Sequence, residues 1–247
     1  MSGNSVEDKI QALYGGQKSM LILVIGESSR GKSTSLRNLN PDTTFVVNVM
    51  GKILPFPRGV RYVEGKNMYV CREAREIIAK LKEVSEKRPE ITDIVIDDGQ
   101  YIMASEFVRK AMEKGYDKFS IMAQNAWNLL TTCNSLRAGL KVYFLNHEEE
   151  TQTGKRKMKT IGRMLDDKLT PEGLSSIVLY SELFTEKDKA NKYVFSTQSD
   201  GSTNAKSPLD MFPRLIPNDL SLVSRRIDEY YEGVALVDSK FKKELET

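Results

Sequence analysis

Histidine and cysteine are scarce in this sequence. Its 247 residues include one histidine, His147, and two cysteines, Cys71 and Cys133, which lie far apart without the spacing of metal ligands. A multi-histidine metal site is therefore excluded. A disulfide framework is not expected either, and this favours a reducing compartment.

Long apolar runs and a strong net charge are also missing. No stretch reaches the roughly 18 consecutive apolar residues of a membrane-spanning helix, and the first residues, "MSGNSVEDKIQALYGG", contain no apolar signal-peptide region. The formal net charge is only +3, so any surface for nucleic acid must be a local patch rather than the whole protein. We therefore expect a soluble protein inside the cell, without a membrane partner.

What the sequence does contain is a regular alternation of apolar and amphipathic segments. The apolar runs have the composition of strands buried on both faces of a sheet, and they are residues 20–26, 43–49, 91–98 and 141–146. Segments with helical spacing lie between them, such as "CREAREIIAKLKEVSEKR" and "SIMAQNAWNLLTTCNSLRAG". The alternation predicts an α/β fold with a mainly parallel central sheet flanked by crossover helices.

The chain after residue 150 has a different pattern. Short strand-like runs, "SSIVLYSELF" and "NKYVFSTQ", precede a final helical segment, "NDLSLVSRRIDEYYEG". These runs predict extra C-terminal strands. No linker or internal repeat marks a second domain, so we expect residues 1–18 to form an N-terminal arm and residues 19–247 to form a single domain.

A phosphate-binding pattern directly follows the first apolar run. Residues 26–33, "GESSRGKS", match G-x-x-x-x-G-K-[ST], in which glycines let the backbone turn tightly and bring N–H groups towards phosphate oxygens. Lys32 is expected to reach the β- and γ-phosphates of a nucleotide, Ser33 to give a hydroxyl to Mg²⁺, and Thr34 to assist at the α-phosphate. The alternative is a Gly/Ser turn with an exposed lysine. The predicted nucleotide-binding residues are Gly26, Glu27, Ser28, Ser29, Arg30, Gly31, Lys32, Ser33 and Thr34.

The predicted metal partner of this segment lies on a later strand. The run "DIVIDD" ends in Asp97 and Asp98, at the strand end that faces the ligand crevice in open α/β sheets. We expect Asp97 to hold Mg²⁺ together with Ser33, and Asp98 to act as a second acid or to polarise the attacking water. In the alternative interpretation both acids only solvate the end of the strand.

Phosphoryl transfer also needs a group that orients water, and the residues leave its identity open. The candidates at the end of "KVYFLN" are Asn146 and His147, followed by the glutamates at 148–150, and Asp98 remains a candidate as well. A single histidine at a strand end is as readily a structural residue, and the glutamate run is equally compatible with a solvated loop.

With these motifs, the chain resembles the RecA-like phage nucleotide-binding ATPases, the AAA-type P-loop group that includes the Sak-type single-strand annealing ATPases. The resemblance spans roughly residues 18–235. It rests on "GESSRGKST", "DIVIDD", "FLNHEE", "TGKRKMKTIGRML", "SSIVLY" and "STNAKSPLDMFPRLIPNDL". The P-loop alone is generic, and its combination with the last of these segments is more specific.

The resemblance implies a RecA-like core that binds ATP with Mg²⁺ and hydrolyses it in oligomers with the nucleotide at subunit interfaces. It also implies a role on single-stranded DNA in phage recombination, annealing or replication, alongside phage recombination or replication proteins in the host cytoplasm. By position in the matching motifs, the resemblance implies nucleotide-binding and metal-binding roles for Lys32, Ser33 and Asp97.

The same resemblance assigns roles to residues outside the P-loop. His147 and Glu148 occupy the sensor-strand position, and Lys206 lies where related oligomeric ATPases place a basic finger that reaches a neighbour's nucleotide. A basic segment at 155–163, "KRKMKTIGR", is predicted to form a flexible loop that contacts DNA phosphates, with a solvated loop as the alternative. Its basic residues are Lys155, Arg156, Lys157, Lys159 and Arg163.

The sequence departs from the group at two positions. Ser29 stands where many relatives carry glycine, and no acid follows "VNVMGK" where RecA-like relatives often carry a catalytic glutamate. One alternative is therefore a nucleotide-gated structural or loader protein without turnover. The other is a nucleoside or nucleotide kinase, in which residues 151–168 would imitate a lid over the phosphates.

Overall fold

The computed structural model describes residues 19–161, 170–185 and 191–231. The predicted arm at 1–18 and the predicted DNA-contacting residue Arg163 lie outside these ranges. No helix within them is long and apolar enough to cross a bilayer.

Ten strands and four α-helices make up the described fold. The strands are β1 Met20–Ile25, β2 Thr44–Asn48, β3 Met68–Tyr69, β4 Asp93–Asp97, β5 Lys141–Asn146, β6 Glu148–Glu150, β7 Arg156–Met158, β8 Ile177–Phe184, β9 Lys192–Ser196 and β10 Leu215–Pro217. The helices are α1 Ala74–Lys87, α2 Gln100–Arg109, α3 Asp117–Cys133 and α4 Leu220–Tyr231. Short 3₁₀ helices cover Ser33–Asn38, Pro57–Arg61 and Pro171–Leu174.

Eight of these strands form one sheet in the order β10-β9-β8-β1-β5-β4-β2-β3. The strands from β8 to β3 are parallel, and β9 and β10 continue the sheet in antiparallel fashion. This confirms the predicted α/β fold class with its mainly parallel sheet and extra C-terminal strands. A second, two-stranded sheet pairs β6 with β7.

The strand order brings three chain segments to one edge of the sheet. Strand β5 lies between β1 and β4, and Ile25 at the end of β1 is level with Asn146 at the end of β5. The P-loop, the segment after Asn146, and the acids at the end of β4 therefore leave the sheet side by side. Ligands of open parallel sheets bind at this carboxyl edge.

Both faces of the sheet are covered by apolar layers, which explains why β1 is a continuous apolar run. Leu21, Leu23 and Ile25 pack towards α1 and α3, whereas Ile22 and Val24 pack towards α4 and the 3₁₀ helix after the P-loop. All five side chains are fully buried. The site is thus built on a rigid central strand.

Candidate functional site

The segment predicted to bind phosphate joins β1 to a short 3₁₀ helix, Ser33–Asn38, rather than to an α-helix. Ser35 N–H donates to both Gly31 O, at 3.0 Å, and Lys32 O, at 3.1 Å. The Ser35 hydroxyl also donates to Lys32 O, and such local bonds compete with the α-helical pattern. The short helix still begins directly behind the loop, at Ser33.

Two positions of the loop adopt left-handed backbone conformations. Ser29 has a φ of 63° and Gly31 a φ of 87°. At Gly31 a Cβ would lie 3.1 Å from the Tyr193 ring and 3.2 Å from Asn218 Oδ1, and at Gly26 a Cβ would lie 2.7 Å from Ser181 O. Close approach of the C-terminal strands therefore requires glycine at both ends of the loop, and at Gly31 the backbone angle requires it as well.

Replacing Gly31 with alanine is expected to weaken nucleotide binding by at least about tenfold, since a non-glycine residue at such a φ costs roughly 1–3 kcal/mol and the new methyl group meets Tyr193 and Asn218. Gly65→Ala is the matched control, because Gly65 has a φ of 79° with nothing within 4 Å of its Cβ position. Titration calorimetry with Mg·ATP compares the two variants. Equal affinities would show that the approach of the C-terminal strands does not shape the loop.

The lysine of the loop is buried and points back at the loop. Lys32 is 7% exposed, and its Nζ donates to Gly26 O and Glu27 O, each at 2.7 Å. Burial lowers the pKa of Lys32 to about 8, against the opposing effect of Asp97 and Asp98. The ammonium group is thus held inside the curve of the loop, where the phosphates of a nucleotide would lie.

The two predicted metal-binding residues are in contact. Ser33 Oγ donates to Asp97 Oδ1 at 2.9 Å. Burial raises the pKa of Asp97 to about 6, with a further contribution from Asp98, while Ser33 and Lys32 oppose the shift. A hydroxyl beside a carboxylate is the oxygen donor set that Mg²⁺ takes from proteins when phosphates supply the rest, so the residues fit the metal.

Asp98 has a partner that the sequence analysis missed. Its Oδ2 accepts from Lys52 Nζ at 2.7 Å, and its backbone φ is 64°. Lys52 Nζ also lies 5.3 Å from the centre of the Tyr101 ring. The residue that reaches Asp98 is the lysine at the end of "VNVMGK", the segment without a catalytic acid.

The end of β5 lies next to the loop and carries a buried amide. Asn146 is fully buried, and its Nδ2 donates to His147 O at 3.1 Å and to Lys159 O at 2.9 Å. Its Oδ1 has no partner among the described residues. His147 N–H donates to Gln100 Oε1 at 3.1 Å, and burial together with Lys32 lowers the pKa of His147 to about 4. The imidazole is therefore neutral at neutral pH.

The segment predicted as a flexible basic loop is partly a hairpin. Strands β6 and β7 pair glutamates with basic residues, with Glu149 opposite Lys157 and Glu150 opposite Arg156. Lys157 forms an ion pair with Glu149 at 3.1 Å. The opposite charges of the acidic run and the basic run stabilise the pairing of the two short strands.

Arg156 is engaged rather than free for DNA. Its guanidinium lies 2.6 Å from Glu182 Oε1 and 3.6 Å from Glu148 Oε2. Burial raises the pKa of Glu148, and Arg156 opposes this shift. Lys155 and Lys159, by contrast, are exposed.

Lys206 lies apart from the P-loop of its own chain. Its backbone exchanges hydrogen bonds with Val178, at 2.8 and 3.0 Å, on the edge of β8 that faces away from β1. Val178 is level with Leu23, two residues before the end of β1. The structure therefore does not bring Lys206 together with the other predicted catalytic residues, and its action on a neighbour's nucleotide stays a prediction.

A C-terminal brace, formed by Asn218 and Asp219, supports the loop and was not predicted from the sequence. Asn218 Nδ2 donates to Ser181 Oγ at 2.8 Å, and Ser181 Oγ donates to Arg30 O in the loop. Asp219 Oδ2 accepts from Asn38 Nδ2 at 2.5 Å. The polar side chains at the end of "IPND" thus support the turn predicted to bind phosphate.

The strand order, the loop after β1 and the Ser33–Asp97 contact are the features of a P-loop protein with an α/β fold. Residues 18–209 match the AAA domain family, and the chain belongs to this family. Its structure is similar to the crystal structure of a KaiC-like protein from the hyperthermophilic archaeon Pyrococcus horikoshii, with a TM-score of 0.44 and 12% sequence identity over 72% of this chain and 78% of that one. No curated protein matches the sequence.

Proposed function

We propose that this protein is a Mg²⁺-dependent ATPase that acts on single-stranded DNA in phage recombination, annealing or replication. The observation that carries the ATPase proposal is the 2.9 Å contact between Ser33 and Asp97 beside the buried ammonium of Lys32. Membership of the AAA domain family supports it. Ser33 and Asp97 would hold Mg²⁺, whose charge would stabilise the phosphoryl group during transfer.

The chain's own residues would contribute binding and orientation. The amides of residues 26–33 would donate to phosphate oxygens, and Lys32 would exchange its two carbonyl partners for the β- and γ-phosphates. Asp98, held by Lys52, is the group we propose to orient the attacking water. His147 is neutral, so it would act there as a hydrogen-bond partner and not as a cation.

The proposed action on DNA rests on the β6–β7 hairpin. The Asn146 amide bonds the Lys159 carbonyl at 2.9 Å, so the strand end next to the P-loop is tied directly to the hairpin. A rearrangement at the P-loop would thereby reach the exposed Lys155 and Lys159, which we propose contact phosphates of single-stranded DNA. Assembly into oligomers, with Lys206 reaching a neighbour's nucleotide, and cooperation with phage recombination or replication proteins belong to the same proposal.

Phosphate release with and without single-stranded DNA tests the function. We expect DNA to stimulate turnover, and the double variant Lys155→Ala/Lys159→Ala to lose most of the stimulation. In this double variant, the plot of log DNA affinity against log salt concentration should have a slope that is shallower by about 1.4, which is about 0.7 for each lost phosphate contact. Lys82→Ala/Lys87→Ala removes two exposed lysines from α1 as a charge-matched control and should behave as wild type.

The alternatives predict different results in the same assay. ADP formation only after addition of a nucleoside or nucleotide acceptor would identify a kinase. Nucleotide binding without phosphate release at saturating DNA would identify a non-hydrolysing loader. Equal loss of stimulation in both double variants would mean that net charge, not the hairpin, attracts the DNA.

A further inference from the structure

An exposed aromatic ring lies against the phosphate-binding loop. Tyr193 is 46% exposed, and a Cβ on Gly31 would lie 3.1 Å from its Cγ and Cδ1. Large aromatic side chains are usually better buried than this, and nothing in the proposed reaction uses the ring. Its position beside the loop, rather than its exposure alone, suggests a ligand contact.

The ring is presented from a rigid part of the sheet. Tyr193 pairs with Leu183 of β8, and its carbonyl accepts from Asn218 N–H at 3.3 Å. On the next strand residue, Val194 pairs with Pro217 of β10. Because its backbone is held on both sides, the tyrosine loses little conformational freedom when a ligand packs against it, which favours affinity.

We propose that Tyr193 stacks on the base of the bound nucleotide. This inference rests on the proposed function and deepens it, since it assigns the base subsite of the same nucleotide site. When residues 26–33 hold the phosphates, the nucleoside extends beyond the loop. The solvent-accessible part of the Tyr193 ring is then available to the flat face of the base. Stacking of a base on an aromatic ring is worth roughly 1–3 kcal/mol and tolerates every base.

The surroundings of the ring favour stacking without selection between purines. Asn218 Oδ1, the polar atom nearest this point of the loop, is shielded from solvent and lies 3.2 Å from the Gly31 Cβ position. Because this atom is buried, the edge of a base does not reach it. ATP and GTP should gain equally from Tyr193, whereas inorganic tripolyphosphate, which has no base, should gain nothing.

Calorimetric titration of the full chain with Mg·ATP, Mg·GTP and Mg·tripolyphosphate tests the inference. We expect Tyr193→Ala to weaken ATP and GTP binding by about tenfold each and to leave tripolyphosphate binding unchanged. Tyr193→Phe should stay within about twofold of wild type, because it keeps the ring. Phe184→Ala is the matched control, since Phe184 is 43% exposed on the same hairpin but faces the opposite side of the sheet.

The outcomes separate this inference from the function on which it rests. Unchanged ATP affinity in Tyr193→Ala would overturn the stacking, and so would an equal loss of ATP and tripolyphosphate affinity, because the ring would then only shape the loop. A wild-type protein that binds none of the three ligands would refute the nucleotide site itself.

A second measurement does not depend on the stability of Tyr193→Ala. In Tyr193→Trp/Trp127→Phe, which moves the chain's single tryptophan to the proposed subsite, indole fluorescence should change with Mg·ATP and not with Mg·tripolyphosphate. The same response to both ligands would overturn the proposal.

Discussion

Replacing Lys32 with alanine is expected to abolish measurable ATP turnover and to weaken Mg·ATP binding by at least about a hundredfold, which corresponds to about 2.7 kcal/mol. The side chain is buried, and both of its acceptors are backbone carbonyls of the loop. Arg30, the other cation of the loop, is paired with Glu27, so Lys32 is the charge held inside the curve of the loop. Lys32→Arg should rescue little, because a planar guanidinium does not reproduce the compact ammonium group between two carbonyls.

Thermal unfolding must accompany this measurement, because Lys32 also organises the loop. The expected result is a folded variant that has lost nucleotide affinity, with Lys82→Ala as a lysine control on the surface of α1. Turnover in Lys32→Ala at the wild-type rate would contradict the assignment of residues 26–33 as the phosphate site.

Replacing Asp97 with asparagine should lower kcat by at least about a hundredfold, equivalent to a barrier raised by about 2.7 kcal/mol. Asparagine has nearly the same shape and can still accept the hydrogen bond of the Ser33 hydroxyl, so the change removes mainly the negative charge. We expect the dependence of nucleotide binding on Mg²⁺ concentration to flatten, because the carboxylate is the charged oxygen donor next to Ser33.

A second buried aspartate of the same strand is the control for this variant. Asp93 opens β4 at its other end and accepts from Tyr143 OH at 3.2 Å and Ser224 Oγ at 2.7 Å. Asp93→Asn should lower thermal stability and leave the Mg²⁺ dependence unchanged. If Asp97→Asn kept its Mg²⁺ dependence while Asp98→Asn lost it, the metal role would belong to Asp98.

Strands with a continuous apolar composition were predicted with the best boundaries. The run at 141–146 coincides with β5, and the predicted strand at 43–49 differs from β2 by one residue at each end. Their composition follows from burial on both faces of a parallel sheet. The strands β3, β6, β7 and β10 have two or three residues each, too few for a period, and each depends on a partner that lies elsewhere in the chain.

The phosphate-binding chemistry was readable because its parts are neighbours in the chain. An apolar strand, two glycines, a lysine and a hydroxyl within 14 residues predict the turn and its ligand before any fold is known. The first acid at the end of "DIVIDD" was predicted as its partner from the general position of ligands at sheet edges. Ser33 and Asp97 are in contact, and their metal role stays a prediction.

Contacts between distant segments could not be read in this way. Lys52 and Asp98 are 46 positions apart, and the Asn218 brace meets Ser181 across 37. The packing of Tyr193 on Gly31 exists only after β9 has added to β8, and the engagement of Arg156 by Glu182 exists only after β7 has come to lie beside β8. The local amino-acid sequence determines what a turn can bind. The long-range pairing of strands determines which side chains support that turn, which charges are already neutralised, and which side chains remain exposed to a ligand.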